Sequence, residues 1–245
     1  MNNVRDDIDA AHTTMKKLKL LVTRQEPEAT LTAQKLYGLG FDVAKMPLTQ
    51  LVGLRPVLPK SPADVAIITS AAAINFADQS LLQAFAKTRT YCVGEKTRLA
   101  AEKAGFTAIV ATFDTAKQLL QTANIPPDSS TVFLTGRVRR PIIEEGFSAR
   151  KAQLTIVEIY DTVSGNVPAQ TADYQTIDAV LIYSQTAADF LSKLVGQFPK
   201  GIKVFCLSQR IADRLNVNFQ AVTAAPKPNE DSLLDAVLKW RDELE

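Results

Sequence analysis

The sequence predicts an α/β protein of two doubly wound, parallel-sheet lobes joined by a two-strand hinge linker. Three observations predict it. Short apolar runs alternate with segments of helical spacing along the chain, the whole pattern occurs twice, and polar segments containing proline fall between the copies.

The repeat is explicit. Shifted by 114 residues, DVAIITSAAAINF at 64–76 lands on DAVLIYSQTAADF at 178–190, with Asp64/Asp178, Ile68/Ile182, Ser70/Ser184, Ala73/Ala187 and Phe76/Phe190 identical. The same shift brings CVGEKT at 92–97 onto CLSQRI at 206–211. At a shift of 112, LVT at 21–23 meets FLT at 133–135, and the run ending at Pro47 meets the one ending at Ile159. The chain reads as two similar halves.

Within the first half, KLKLLVT, FDVAKMPL, DVAIITS, TYCVG and TAIVA have strand character, and PEATLTAQKLYGLG, AAAINFADQ, EKTRLAAEKAG and TAKQLLQTA have helical spacing. Gly40 and Gly105 are placed to stop two of these helices, and Pro27 suits the opening turn of the first. STVFLTG, QLTIVEIY, DAVLIYS, KVFCLS and FQAVTA are the strands of the second half. Strands apolar on both faces require cover on both faces, hence flavodoxin-like lobes. TQLVGLRPVLPKSP (49–62) and DTVSGNVPAQ (161–170) are the expected crossings. Residues 18–48 and 165–245 then form one discontinuous lobe and 49–164 the other, with 1–17 a disordered leader and Met15 the expected natural start. A link of two strands is also a hinge.

Composition narrows the function. The 245 residues, 46% of them hydrophobic, suffice for one large core or two of ordinary size. A net charge of +2 gives no field that would gather nucleic acid or an anionic membrane, so neither is an expected partner. No apolar run reaches the ~20 residues of a membrane span, and the acidic start lacks the apolar core of a signal peptide, so a cytoplasmic protein is expected. The one histidine, His12, lies in the leader, which removes histidine-based catalysis and metal binding. Cys92 and Cys206 sit in apolar runs without a CxxC spacing and read as small buried hydrophobes. VGEKT is similar to the tail of a P-loop, but lacks the glycine five positions earlier and carries Glu95 between Gly94 and Lys96. No GxGxxG follows a strand. Glu144 and Glu145 are expected on a solvated helix surface.

In open parallel sheets ligands bind at the carboxyl ends of strands, where helix N-termini favour anions. Here those positions hold Thr23 and Arg24, Thr69 and Ser70, Gly94 to Thr97, Thr135 to Arg137 (with Gly136), Ser184 to Thr186 (with Gln185), and Ser208 to Arg210. Each Ser or Thr alone is equally a helix cap, worth about 1 kcal/mol. Their recurrence in both lobes, expected to face one cleft, points to a shared anionic ligand.

TRQEPEA, MPL, DVAIITSAAAINF, CVGEKTRLAAEKAGF, FLTGRVRRPIIEE, VEIYDT, DAVLIYSQTAADF and CLSQRIADRL resemble, in that order, the segments of the uroporphyrinogen-III synthase family over residues 19–240. The resemblance implies a cofactor-free lyase that cyclises the linear tetrapyrrole hydroxymethylbilane, with loss of water and inversion of ring D. It implies Tyr160 as proton donor and Thr97, Ser70 and Ser184 as substrate-binding hydroxyls; Arg24, Thr69, Gly136, Gln185 and Thr186 are substrate-binding candidates by their strand-end positions. No metal is implied. A monomer in transient contact with the preceding pathway enzyme is expected. The chain departs from the family pattern at Ser208, where glycine is usual, and at Ile211, the counterpart of Thr97. Two hinged lobes also describe solute-binding proteins, which do no chemistry; the lack of an export signal argues against them, and a regulator that kept the fold is the stronger rival.

Overall fold

VAII (65–68) and AVLI (179–182) have no polar face, so each is stable only with helices on both sides of its sheet, and both are buried along their whole length. The computed structural model describes residues 17–59, 61–165, 173–215, 219 and 221–244; the expected leader, Lys17 apart, lies outside them. The chain divides into two units, 1–49 with 164–245, and 50–163.

Along the chain come β1 (Lys19–Val22), α1 (Glu28–Gly38), β2 (Asp42–Lys45), β3 (Thr49–Gly53), β4 (Val65–Ile68), α2 (Ala71–Asn75) and α3 (Gln79–Phe85). Next are β5 (Arg89–Val93), α4 (Glu95–Lys103), β6 (Ile109–Phe113), α5 (Ala116–Thr122), β7 (Thr131–Gly136), α6 (Ile142–Ala149) and β8 (Leu154–Ser164). The last are β9 (Ala179–Ile182), α7 (Gln185–Lys193), β10 (Lys203–Cys206), α8 (Gln209–Ala212), β11 (Ala221–Ala224) and α9 (Glu230–Asp242).

In the first unit five parallel strands take the order β2-β1-β9-β10-β11. In the second, β8-β7-β4-β5-β6 are parallel and β3 neighbours β8 at the edge. The repeat equates β1, β2, β9, β10 and β11 with β7, β8, β4, β5 and β6. The two five-strand orders are therefore the same flavodoxin-like order, entered by the chain at a different strand. β3 and β8 also carry the chain from one unit to the other, at 49/50 and 163/164. β8 runs to Ser164, four residues past the expected strand, because β3 gives its distal half a partner.

The aspartates shared by the repeat, Asp64 and Asp178, belong to the amino ends of the sheets. Asp178 Oδ2 accepts from Lys19 N (2.7 Å) while Asp178 N donates to Lys19 O (2.9 Å). Asp64 makes the same double bond with Ser130, at 2.9 Å each way. Each aspartate thus pins the register of a central strand against its neighbour, far from the carboxyl ends.

Each sheet is covered on both faces. In the first unit Leu20, Val22 and Leu181 pack toward α1 and α9, and Leu21, Val180 and Ile182 pack toward α7 and α8. In the second, Ala66, Ile68, Val132 and Leu134 face α2, α3 and α4, and Val65, Ile67 and Phe133 face α5 and α6. Cys92 and Cys206 are core residues, and burial pushes their thiols up to about 11 and about 12, so both stay protonated and unreactive.

Gly40 and Gly105 end their helices as the sequence predicts. At φ 90° and 94° they allow Phe41 N to reach Leu36 O (3.1 Å) and Phe106 N to reach Ala101 O (3.0 Å), and each phenylalanine is then buried. α6 ends in the same way, with Ala152 N on Phe147 O at 3.0 Å, but its left-handed residue is Lys151, at φ 55°. A side chain in that conformation is strained by about 1 kcal/mol. Lys151→Gly should therefore raise the free energy of urea-induced unfolding by roughly 0.5–1 kcal/mol, whereas Gly40→Lys should lower it.

Candidate functional site

Ligands of doubly wound sheets bind where neighbouring strands send their helices to opposite faces. In the second unit this point lies between β7, which leads to α6, and β4, which leads to α2. In the first it lies between β1, which leads to α1, and β9, which leads to α7. The residues chosen from sequence fall at these two points or beside them.

In the second unit Thr69 and Ser70 end β4, and Ser70 Oγ caps α2 by accepting from Ala72 N at 3.2 Å. Gly136 ends β7, and Tyr160, half-buried, stands opposite it on β8. This pairing depends on a break in register: Thr135 faces Glu158 but Gly136 faces Tyr160, which leaves Ile159 as an extra residue. Val157 and Ile159 are both buried on the α2 face, so strict alternation would turn Tyr160 to the other side. The bulge re-aims it onto the α2 face, where its ring lies 6.0 Å from that of Phe76, at the end of α2. Gly136 makes room for the ring. A Cβ there would lie 2.5 Å from Tyr160 Cζ and 2.9 Å from its hydroxyl oxygen. Thr97, in the first turn of α4, is buried rather than open, at 4% exposure. Gly94, just before that helix, has φ 85°.

In the first unit Ser184 Oγ caps α7 by accepting from Ala187 N at 3.1 Å. Gln185 and Thr186 open that helix, and Gln185 Nε2 donates to Arg210 O at 3.2 Å. Arg24, just beyond β1, lies 4.5 Å over the ring of Tyr183, the residue before Ser184. Arg24 is also committed to Glu230, at 2.9 Å. Glu230 takes further bonds from Thr32 and from Lys35 (2.5 Å); burial pushes its carboxyl up, and these donors outweigh that and hold it below the usual range. Ser208 occupies the cap of α8 without making a side-chain capping bond, and Ile211 is buried as Thr97 is.

Of the two arginines clustered beside Tyr160, Arg137 is among the strand-end positions named from sequence and Arg139 is not. Arg137 binds Glu158 and Asp161, at 3.0 Å each. Arg139 binds Glu144 (2.6 Å) and Glu158 (2.9 Å). Glu144 is therefore not the solvated surface residue expected: α6 turns it inward to Arg139, and its carboxylate is largely covered. The signal was present in GRVRR followed by VEIYD, but charge runs are usually solvated and only the register brings these two together. Among the described residues no group of three or more His, Cys, Asp or Glu could hold a metal ion, and no helix is long and apolar enough to cross a membrane.

The family model described as "Uroporphyrinogen-III synthase HemD" matches residues 31–235. The chain belongs to the uroporphyrinogen-III synthase family. Its fold is that of solved members. The uroporphyrinogen-III synthetase of Helicobacter pylori aligns with a TM-score of 0.65 at 11% identity, over 92% of this chain and 100% of the other. A mutant uroporphyrinogen III synthase from the extremely thermophilic bacterium Thermus thermophilus aligns at 0.53 and 15% identity, over 92% and 99%. No curated protein sequence matches the chain.

The two capping bonds use only the acceptor side of each serine hydroxyl. Each accepts from a backbone N–H, and the hydroxyl hydrogen stays free to donate to an anion. Ser184→Ala should cost about 1 kcal/mol of stability and also raise KM, and Ser184→Thr should restore both. Loss of stability with KM unchanged would reduce Ser184 to a cap.

Proposed function

We propose that the chain acts as a hydro-lyase on hydroxymethylbilane, closing the linear tetrapyrrole with loss of water and inversion of ring D to give uroporphyrinogen III. The observation that carries this reading is the seating of Tyr160 on Gly136 at a strand-end ligand position, in a chain of this family. The substrate bears eight carboxylates. Hydroxyls and backbone N–H groups at Thr69, Ser70, Ser184, Gln185 and Thr186 suit them, since each donates a hydrogen bond without requiring a buried charge. Arg24 contributes by exchanging Glu230 for a substrate carboxylate, and Thr97 by fixing the first turn of α4.

Chemistry begins when the hydroxyl on ring A leaves as water. The carbon–oxygen bond breaks as the oxygen takes a proton, and Tyr160 supplies it. The pyrrole then stabilises the cationic carbon, and ring D attacks it through its substituted position to form a spiro centre; the older bridge bond at that centre breaks, the freed methylene carbon re-attaches at the unsubstituted α-carbon of ring D, and the proton lost there restores the tyrosine. The protein's part in that step is to hold the chain ends together, an orientation effect that can amount to several powers of ten. Proton transfer adds about 10²-fold or more. With hydroxymethylbilane as substrate, Tyr160→Phe should lower kcat by about that factor and leave KM nearly unchanged. Turnover equal to the parent would remove Tyr160 as the acid.

A further inference from the structure

We propose that Arg139 is a positioning residue for Tyr160, acting through the backbone it clamps; this rests on the reading of Tyr160 as proton donor. The peptide unit between Gly136 and Arg137 is held at both ends. Its N–H, on Arg137, donates to Tyr160 O at 2.8 Å, and its carbonyl, on Gly136, accepts from Arg139 Nη1 at 2.9 Å. The same nitrogen donates to Arg137 O at 3.1 Å and Glu158 Oε1 at 2.9 Å, and Arg139 Nε donates to Glu144 Oε1 at 2.6 Å. One guanidinium therefore joins two successive carbonyls, at the end of β7 and just beyond it, to β8, two residues before Tyr160, and to α6.

This peptide matters because both contacts that aim Tyr160 pass through it. Gly136 is the surface on which the ring lies, and Arg137 N holds the backbone of the tyrosine itself. If the peptide rotates, the ring loses its seat and its strand loses the bond that closes the bulge. The planar guanidinium fork meets carbonyls and carboxylates in fixed directions; an ammonium has no such geometry. Glu144 points the same way. Its second carboxylate oxygen is buried and has no hydrogen-bond partner among the described residues, so the cost of covering this group is offset through Arg139.

Arg139→Lys, which keeps the charge and loses the fork, is expected to lower kcat roughly ten- to hundredfold with KM little changed. In protein carrying 13C-labelled tyrosine it should also shift or broaden the ring signals of Tyr160. Introduced into Tyr160→Phe, the same change should have no further effect on kcat, since the group being positioned is gone. Arg139→Met combined with Glu144→Met removes the covered pair together, so that no unpaired charge is left on α6, and should give the same three results. Unaltered Tyr160 ring signals, or an equal loss of kcat in both backgrounds, would overturn the proposal. Should Tyr160→Phe itself turn over normally, the proton-donor reading falls, and the ring signals alone decide the positioning.

Discussion

A parallel sheet wound by right-handed crossovers collects the carboxyl ends of its strands on one edge, and the helix that directly follows a strand begins there. Each unit obeys this constraint, and its polar residues are divided by it. Asp64 and Asp178 sit on the amino edge and lock register with paired backbone bonds. Ser70, Ser184, Gly136 and Tyr160 sit on the carboxyl edge, where capping hydroxyls and free backbone donors can meet an anion. The aspartates and the capping serines both recur in the repeat, for opposite reasons.

The equivalent positions of the two units also show where they diverge. A shift of 112 sets Gly136 and Tyr160 of the second unit against Arg24 and Leu48 of the first. One pair forms a ring resting on a bare backbone. In the other, Leu48 is fully buried core and Arg24 lies on Tyr183, tied to the head of α9 by Glu230. Thr97 against Ile211 and Gly94 against Ser208 differ in the same sense. The strand order is held in common, but the backbone parts at 94/208, with Gly94 at φ 85° and Ser208 at φ −160°, and at the register break that seats Tyr160 in the second unit.

What could be read from sequence is what depends on local pattern. Apolar runs marked the central strands, and two glycines marked helix ends that need a left-handed residue. The same signal could not reveal the end of α6, where Lys151 takes that conformation. The candidate site was legible as a set of strand-end positions and not in geometry. Alternation along VEIYD puts Tyr160 and Ile159 on opposite faces, and only the register break at Ile159 places both on the α2 face. The tie of Arg139 to Glu144 and Glu158 was hidden for a related reason, since three separate segments must be in register before those charges meet.

The account stands on the identity of the product more than on any rate. Hydroxymethylbilane closes without help to the isomer in which ring D keeps its orientation, so acceleration alone does not establish control of the ring. The direct measurement is to supply hydroxymethylbilane to the purified protein, oxidise the products and separate the uroporphyrin isomers. Predominant isomer III is the predicted result; isomer I alone, formed at the rate seen without protein, would contradict it.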